Sequence, residues 1–369
     1  MIMRSPQPPV PRAAIRKPPG KGKVRSLWSV PPLAALCVAT LLTSGPVGQA
    51  APAAMGHDMY LCAGVNRDYI VGAKLVTLSG LYRRTGKGEY QHFGPNYPQI
   101  FAISFDPRNH DVFYTATING CVQTTDGGEN WRISTSWDMT EPKDVCVDGN
   151  SPDNVYLALP DGIAVSNDRG ATWARREKGL PARGKYTQTI KVDRTRAGRV
   201  LAGCESGIYL SENGAESWRR VQVATATVTQ LQQSPHDPKL WLATTQNEGV
   251  LVSRDGGRNW KRIDGLSKEH TWYSVSFDPT HESRWVVCGW KYGIYTSEDA
   301  GRTWTVRNEG LPDFNGAFRV SVDPDSGCLY LNIWRRGFYA SDDFGRHWRF
   351  EGIEGGTVYN FVYVSKGAK

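Results

Sequence analysis

Ser297-Glu298-Asp299-Ala300-Gly301-Arg302-Thr303-Trp304 is the stretch from which the rest of the chain can be read. The same spelling returns at Thr124 to Trp131, Ser166 to Trp173, Ser211 to Trp218, Ser253 to Trp260 and Ser341 to Trp348. Successive tryptophans lie 42, 45, 42, 44 and 44 residues apart. A fixed period of that length marks a repeat architecture, each copy being one supersecondary unit. A decayed seventh copy lies upstream, with Gly88 on the glycine position and Gln91 replacing the tryptophan, 40 residues before Trp131.

Working outward from the box, each residue type has a reason. The carboxylates of Asp126, Asp168, Asp255, Asp299 and Asp343, and the amide of Asn213, can accept backbone N–H bonds inside a turn. Glycine supplies a positive φ, and the tryptophan opens the next strand and buries a large ring. These acids are therefore turn locks rather than catalytic acids or calcium ligands. Asn213 and Ala215 in the third copy would weaken a metal site, whereas a turn absorbs them.

Before each of five boxes stands a glycine-led strand: Gly162, Gly207, Gly249, Gly293 and Gly337 begin them. Two further strand-like runs complete each unit, as in Tyr273 to Phe277 and Ser283 to Cys288. Four short strands at regular spacing make one blade of a β-propeller. The last run, Val358 to Val364, has the form of a first strand with no blade after it, and Met59 to Ala63 that of a second strand. Pairing them closes the ring and removes exposed edges. The expectation is all-β: one propeller over residues 59–369, of seven blades, with six or eight as the alternatives.

The N-terminus is set apart. Residues 1–27 carry seven basic and no acidic side chains, followed by an apolar run from Leu33 to Leu42 and a small-residue exit ending at Ala50. That is the layout of a secretory signal, and the run is too short for a membrane span. Residues 1–50 are predicted to be a signal peptide and 51–58 a short linker, with a secreted or periplasmic product. The leader holds +7 of the net charge of +8, leaving the mature part near +1. A nucleic-acid binder keeps a basic surface in its folded domain, so that class is excluded. Six cysteines remain (Cys62, Cys121, Cys146, Cys204, Cys288, Cys328), without metal-site spacing and in strand-like surroundings. They read as buried small hydrophobes, with one or two unassigned bridges left open. No metal and no cofactor is expected.

The boxes resemble the bacterial neuraminidase repeat, or Asp-box, over residues 80–348. Trp304-Thr-Val-Arg-Asn-Glu-Gly-Leu-Pro312, echoed from Trp173 to Pro181, is most similar to the xyloglucan-cleaving enzymes of glycoside hydrolase family 74 and to photosystem II assembly factors. The resemblance implies seven blades and a binding face opposite the box turns. Sialidases have six blades and usually an Arg-Ile-Pro motif near the start, absent here, which argues against sialidase activity. Family-74 enzymes join two propellers around a cleft, while this chain has length for one, so no catalytic residue is carried over.

The resemblance directs attention to the loops entering each first strand and those between second and third strands. Of thirteen tryptophans, six sit in boxes, one in the leader, and Trp241 and Trp285 inside strands. The other four (Trp137, Trp272, Trp290, Trp334) fall in these loops, beside Asp138, Tyr186, Tyr292, Arg335 and Arg336. The blade-one loop adds Asn66 to Tyr69, and a later one Asp313 to Asn315. Aromatic platforms beside polar groups suit sugar rings, and Arg335 and Arg336 suit an acidic sugar. Hydrolysis would need two carboxylates across the scissile bond; Asp138, Glu141, Asp144, Asp161, Glu205, Glu248 and Asp313 are available. Two functions follow: a polysaccharide- or oligosaccharide-binding protein, which if catalytic would be a glycoside hydrolase or polysaccharide lyase, or a non-catalytic scaffold with a protein partner. Nucleic acid is not an expected partner, the mature form has no membrane span, and a monomer is expected.

Overall fold

A computed structural model describes residues 56–65, 79–313 and 316–367. The predicted signal peptide, residues 51–55 of the linker, the Asn66 to Tyr69 stretch and Phe314-Asn315 lie outside the described residues. Among the described residues twenty-eight strands form seven four-stranded antiparallel sheets, and the protein is a seven-bladed β-propeller. The innermost strand of blade one is the C-terminal Gly356–Ser365, and those of blades two to seven are Ile100–Asp106, Asp144–Val147, Thr187–Val192, Val228–Gln233, Trp272–Phe277 and Ala317–Val322. Each touches the inner strands on either side, and the series closes on itself.

Closure occurs as the sequence suggests. Gly356–Ser365 pairs antiparallel with His57–Val65, with Tyr60 opposite Val362 and Leu61 opposite Phe361, so blade one joins both ends of the chain. Its decayed box is a tight turn, Gly86 facing Glu89 across Lys87-Gly88.

Burial follows position in the blade. Second strands such as Val155–Leu159 and Trp241–Thr245 are wholly buried between neighbouring blades, while the outer strands Lys261–Arg262 and Thr305–Val306 are exposed. Two-sided burial explains why the second strands are continuous apolar runs rather than alternating ones. Each fully buried large apolar side chain, such as Trp241 or Trp285, contributes about 1.5–3 kcal/mol by leaving water.

The boxes form one repeated turn. In blade three the Ser166 hydroxyl donates to Asp168 Oδ1 at 2.7 Å and accepts from the Gly170 N–H at 2.7 Å. Asp168 then accepts from the Thr172 N–H at 2.8 Å and the Thr172 hydroxyl at 2.5 Å. Blade six repeats this through Ser297, Asp299, Gly301 and Thr303. The residue before the tryptophan is thus part of the lock, a role the spelling alone did not disclose. Two consecutive residues adopt positive φ, as in Gly256 (77°) and Gly257 (82°). In the third copy the second of them is Ala215 (67°), a Cβ tolerated in a conformation that favours glycine.

Some box tryptophans also join blades: Trp218 donates its ring N–H to the Arg176 carbonyl and Trp348 to that of Arg307, each on the preceding blade, whereas Trp131 and Trp260 bond the glycine carbonyl of their own box. The six cysteines among the described residues are free thiols. Burial pushes Cys121, Cys204 and Cys288 up to about 12, so these thiols are inert at neutral pH.

Candidate functional site

In an antiparallel blade, successive connections alternate between the two ends of the sheet, so the box turns and the second-to-third loops lie at opposite ends. At the end away from the boxes, the axial channel opens into a cavity of about 370 Å³. Five of its wall residues come from one register position of the inner strands. Five of these strands carry a bulge whose unpaired residue is Phe101, Gln188, Thr229, Tyr273 or Phe318; the closing strand skips Tyr359 in the same way. A bulge inserts an extra residue and re-aims its side chain. All of these but Thr229 line the cavity, with Gln99, Lys143, Tyr186, Trp290, Arg319 and Trp334.

The rings form a continuous belt. Tyr273 meets Phe318 at 5.1 Å between centroids, Phe318 meets Trp334 at 5.0 Å, Trp334 meets Tyr359 at 6.2 Å and Tyr359 meets Phe101 at 5.6 Å. Trp290 stands edge-to-face with Trp334 at 6.1 Å. Gly316 bridges to Trp290 and accepts the Trp334 N–H at 2.9 Å; a Cβ there would lie 3.2 Å from both tryptophans. Glycine lets the two rings share one wall.

Polar groups close the floor. Arg319 donates from Nε to the Tyr359 carbonyl at 2.9 Å and from Nη1 to those of Tyr273 and Phe318 at 3.0 and 3.2 Å. Its guanidinium lies 4.4 Å from the Phe318 ring centroid. Burial lowers its pKa, offset in part by nearby thiol and carboxylate groups, though guanidinium remains charged. Lys143 sits 4.5 Å over the Phe101 ring and bonds Glu141 at 3.2 Å. Below, Asp144 accepts from Thr189, the Ile190 N–H and Lys191 at 3.1, 3.0 and 2.7 Å. Burial works against the Lys191 ammonium, but the Asp144 carboxylate outweighs it and raises its pKa. This pair forms a polar waist. A second cavity of about 570 Å³ opens beyond it, lined by Gln230, Gln232, Gln233, Lys191 and Arg194 among others.

The sequence-predicted residues divide sharply. Tyr186, Trp290 and Trp334 line the cavity, and Arg335 is 6.0 Å from the Trp334 ring centroid. Tyr186 donates its hydroxyl to Gln188 at 2.7 Å. Trp272 is a correction: it is 0% exposed, packed in the blade core with Val275, Trp285 and Leu242, its ring N–H on the Ser267 carbonyl. It begins the inner strand, and Tyr273 is the bulged residue; one position in a strand exchanges core for channel. Trp137 (89% exposed), Asp138, Tyr292 and Arg336 lie outside the cavity walls. Tyr292 stacks on His270 at 3.4 Å, and Asp138 is held below the carboxylate range chiefly by the Ser136 hydroxyl.

The proposed acids are engaged elsewhere. Glu205 accepts the Tyr186 N–H, Glu248 the Thr225 hydroxyl, and Asp161 pairs with Arg175. Among the described residues, no carboxylate lines the upper cavity. The wall residues had a signal in the sequence. Phe101, Lys143, Gln188, Tyr273 and Phe318 each stand five residues before an aspartate (Asp106, Asp148, Asp193, Asp278, Asp323) that ends the strand.

No protein-family model matches the sequence. A curated oligoxyloglucan-reducing end-specific xyloglucanase from Emericella nidulans is 25% identical over 224 residues, covering 56% of this chain. The chain spans only 23% of that relative's length. Among solved structures, a GH74 enzyme from Niastella koreensis superposes with a TM-score of 0.59 at 16% identity, covering 81% of this chain and 55% of that one. An ancestral GH74 enzyme gives 0.58 at 18%, covering 79% and 40%. YCF48 bound to D1 peptide gives 0.53 at 18%, covering 68% and 81%. The chain is a seven-bladed propeller resembling the GH74 xyloglucanases and YCF48. At such identities the structural likeness is one of fold, and the propeller's own cavity must carry the chemistry.

Proposed function

We propose that this propeller is an exported saccharide-binding protein whose ligand occupies the aromatic cavity at the end opposite the box turns. The observation that carries this is the belt of Tyr273, Phe318, Trp334, Tyr359 and Phe101, with Trp290 beside it and the amides Gln99 and Gln188 within reach. Ring faces accept the C–H faces of sugars while amides and hydroxyls take sugar hydroxyls. Binding without hydrolysis is the reading favoured, because the described cavity walls present no pair of carboxylates. The similarity to a xyloglucanase supports a glycan as the ligand class.

The test is a panel of soluble oligosaccharides titrated against the protein, beside Trp290→Ala and Trp334→Ala variants whose folding is checked by thermal melting. Loss of binding with a retained cooperative melt supports the assignment; unchanged affinity in both variants contradicts it. Export is tested by N-terminal sequencing of the mature protein, expected to begin near Ala51; a product retaining Met1 would contradict it.

A protein-binding scaffold is the second reading, favoured by the likeness to YCF48 bound to D1 peptide and by the fully presented Trp137 ring. A pull-down that depends on Trp137 but not on Trp290 would favour it.

A further inference from the structure

We infer that the cavity selects an acidic saccharide, with a uronate carboxylate seated on Arg319 and Lys143. This rests on the saccharide-binding reading and specifies its ligand.

Charge along the channel is one-sided. Among the described residues, the cations lining the cavity and the passage below it are Lys143, Lys191, Arg194 and Arg319, against the one carboxylate of Asp144. Asp144 is already committed to Lys191 and to two donors of blade four. Cations of one sign inside low-dielectric walls focus a field on any anion that enters.

Arg319 is built to receive such an anion. Three backbone carbonyls from blades one, six and seven hold its Nε and Nη1 and fix the plane of the guanidinium. Among the described residues no carboxylate forms an ion pair with it, and the hydrogen bonds that hold it leave from Nε and Nη1 rather than Nη2. A fixed, half-buried guanidinium without a counter-ion is expensive to keep; an incoming carboxylate supplies the missing partner through charge-assisted bonds. Lys143, on the same floor, is paired among the described residues with the exposed residue Glu141. A sugar ring held against Trp290 and Trp334 would bring its 5-carboxylate toward this pair. The acidic preference thus belongs to Arg319 and Lys143 rather than to the loop arginines Arg335 and Arg336, which lie outside the walls.

The experiment uses the full chain and three probes: trigalacturonate, its methyl ester, and a neutral xyloglucan oligosaccharide, titrated calorimetrically at low and high salt. The expected result is a preference for the free acid over the ester of about tenfold or more, the size of one charge-assisted bond. That preference shrinks with salt and falls severalfold in Lys143→Gln. Arg319→Lys, which keeps the charge and loses the fork, should lose preference while still binding the ester. Equal affinity for acid and ester would overturn the acidic assignment and leave the saccharide reading standing. Binding of no saccharide at all would overturn both, as would selective capture of a carboxylate-terminated peptide instead.

Discussion

The two ends of this propeller use repetition in opposite ways. At the box end the same bonds recur in six blades, and changes of residue are absorbed: Asn213 replaces aspartate and still accepts from Ser211 at 3.0 Å and the Ser217 N–H at 3.1 Å. At the cavity end one register is repeated, but its occupants differ in kind. Phe101, Lys143, Gln188, Tyr273, Phe318 and Tyr359 place aromatic, cationic and amide groups around one mouth. Repeated chemistry holds the ring together; varied chemistry at a repeated position makes a surface able to discriminate a ligand.

The largest expected separation lies between two adjacent residues. Trp272→Ala empties a fully buried site and should cost about 3–5 kcal/mol in unfolding free energy. Tyr273→Ala should cost far less and instead weaken ligand binding. If chemical denaturation ranked them the other way, the strand register that divides core from channel would be wrong.

A smaller effect is expected at the boxes. Asp168→Ala removes the acceptor of the Thr172 N–H and hydroxyl and should cost about 1 kcal/mol, by analogy with lost helix caps. Ligand affinity should be unchanged. A folded Asp168→Ala protein with no affinity would mean that the boxes serve the site as well as the fold.

Smaller still is the difference made by Asp168→Asn. The third copy already uses asparagine, with the Ser217 hydroxyl accepting from its amide, and Thr172 can rotate to do the same. The substitution should recover most of the stability lost in the alanine variant.

Its pH dependence sharpens the comparison. The Thr172 hydroxyl and N–H, with the Ser166 hydroxyl, hold the Asp168 carboxyl at about 2, against about 4 in an unfolded chain. The folded state therefore binds this proton less readily than the unfolded state. Its stabilising contribution is complete above about pH 4–5 and lost as pH falls toward 2. Urea unfolding between pH 6 and 3 should show a shallower decline for Asp168→Asn than for the natural chain. Parallel curves would remove the carboxylate from the lock.

The two ends also differed in legibility. Box turns are local: Ser166, Asp168, Gly170 and Trp173 lie within eight residues, so spacing declares the turn, though not the part Thr172 plays in it. Ring closure was legible because a first strand without a blade and a second strand without a first can only complete each other. The cavity joins residues from six blades, and nothing local says that Phe101 and Trp334 share a wall. Trp290 and Trp334 were found because their loops place them at the mouth. Trp272 misled because a loop boundary one residue off exchanges core for channel. Arg319 was missed because inside an alternating strand an arginine reads as a solvent-facing residue, whereas here it faces the axis.

The most direct measurement exploits where the tryptophans sit. Trp290 and Trp334 are in the cavity, while the box tryptophans are at the far end of the blades. Intrinsic fluorescence is followed while a binding saccharide is added to the natural chain, to Asp168→Ala and to a Trp290→Phe, Trp334→Phe double variant. Ligand in the cavity predicts a saturable change in the first two and its loss in the third, with affinity measured independently by calorimetry. A saturable fluorescence change that persists in the double variant would place the ligand elsewhere and contradict the division between the two ends.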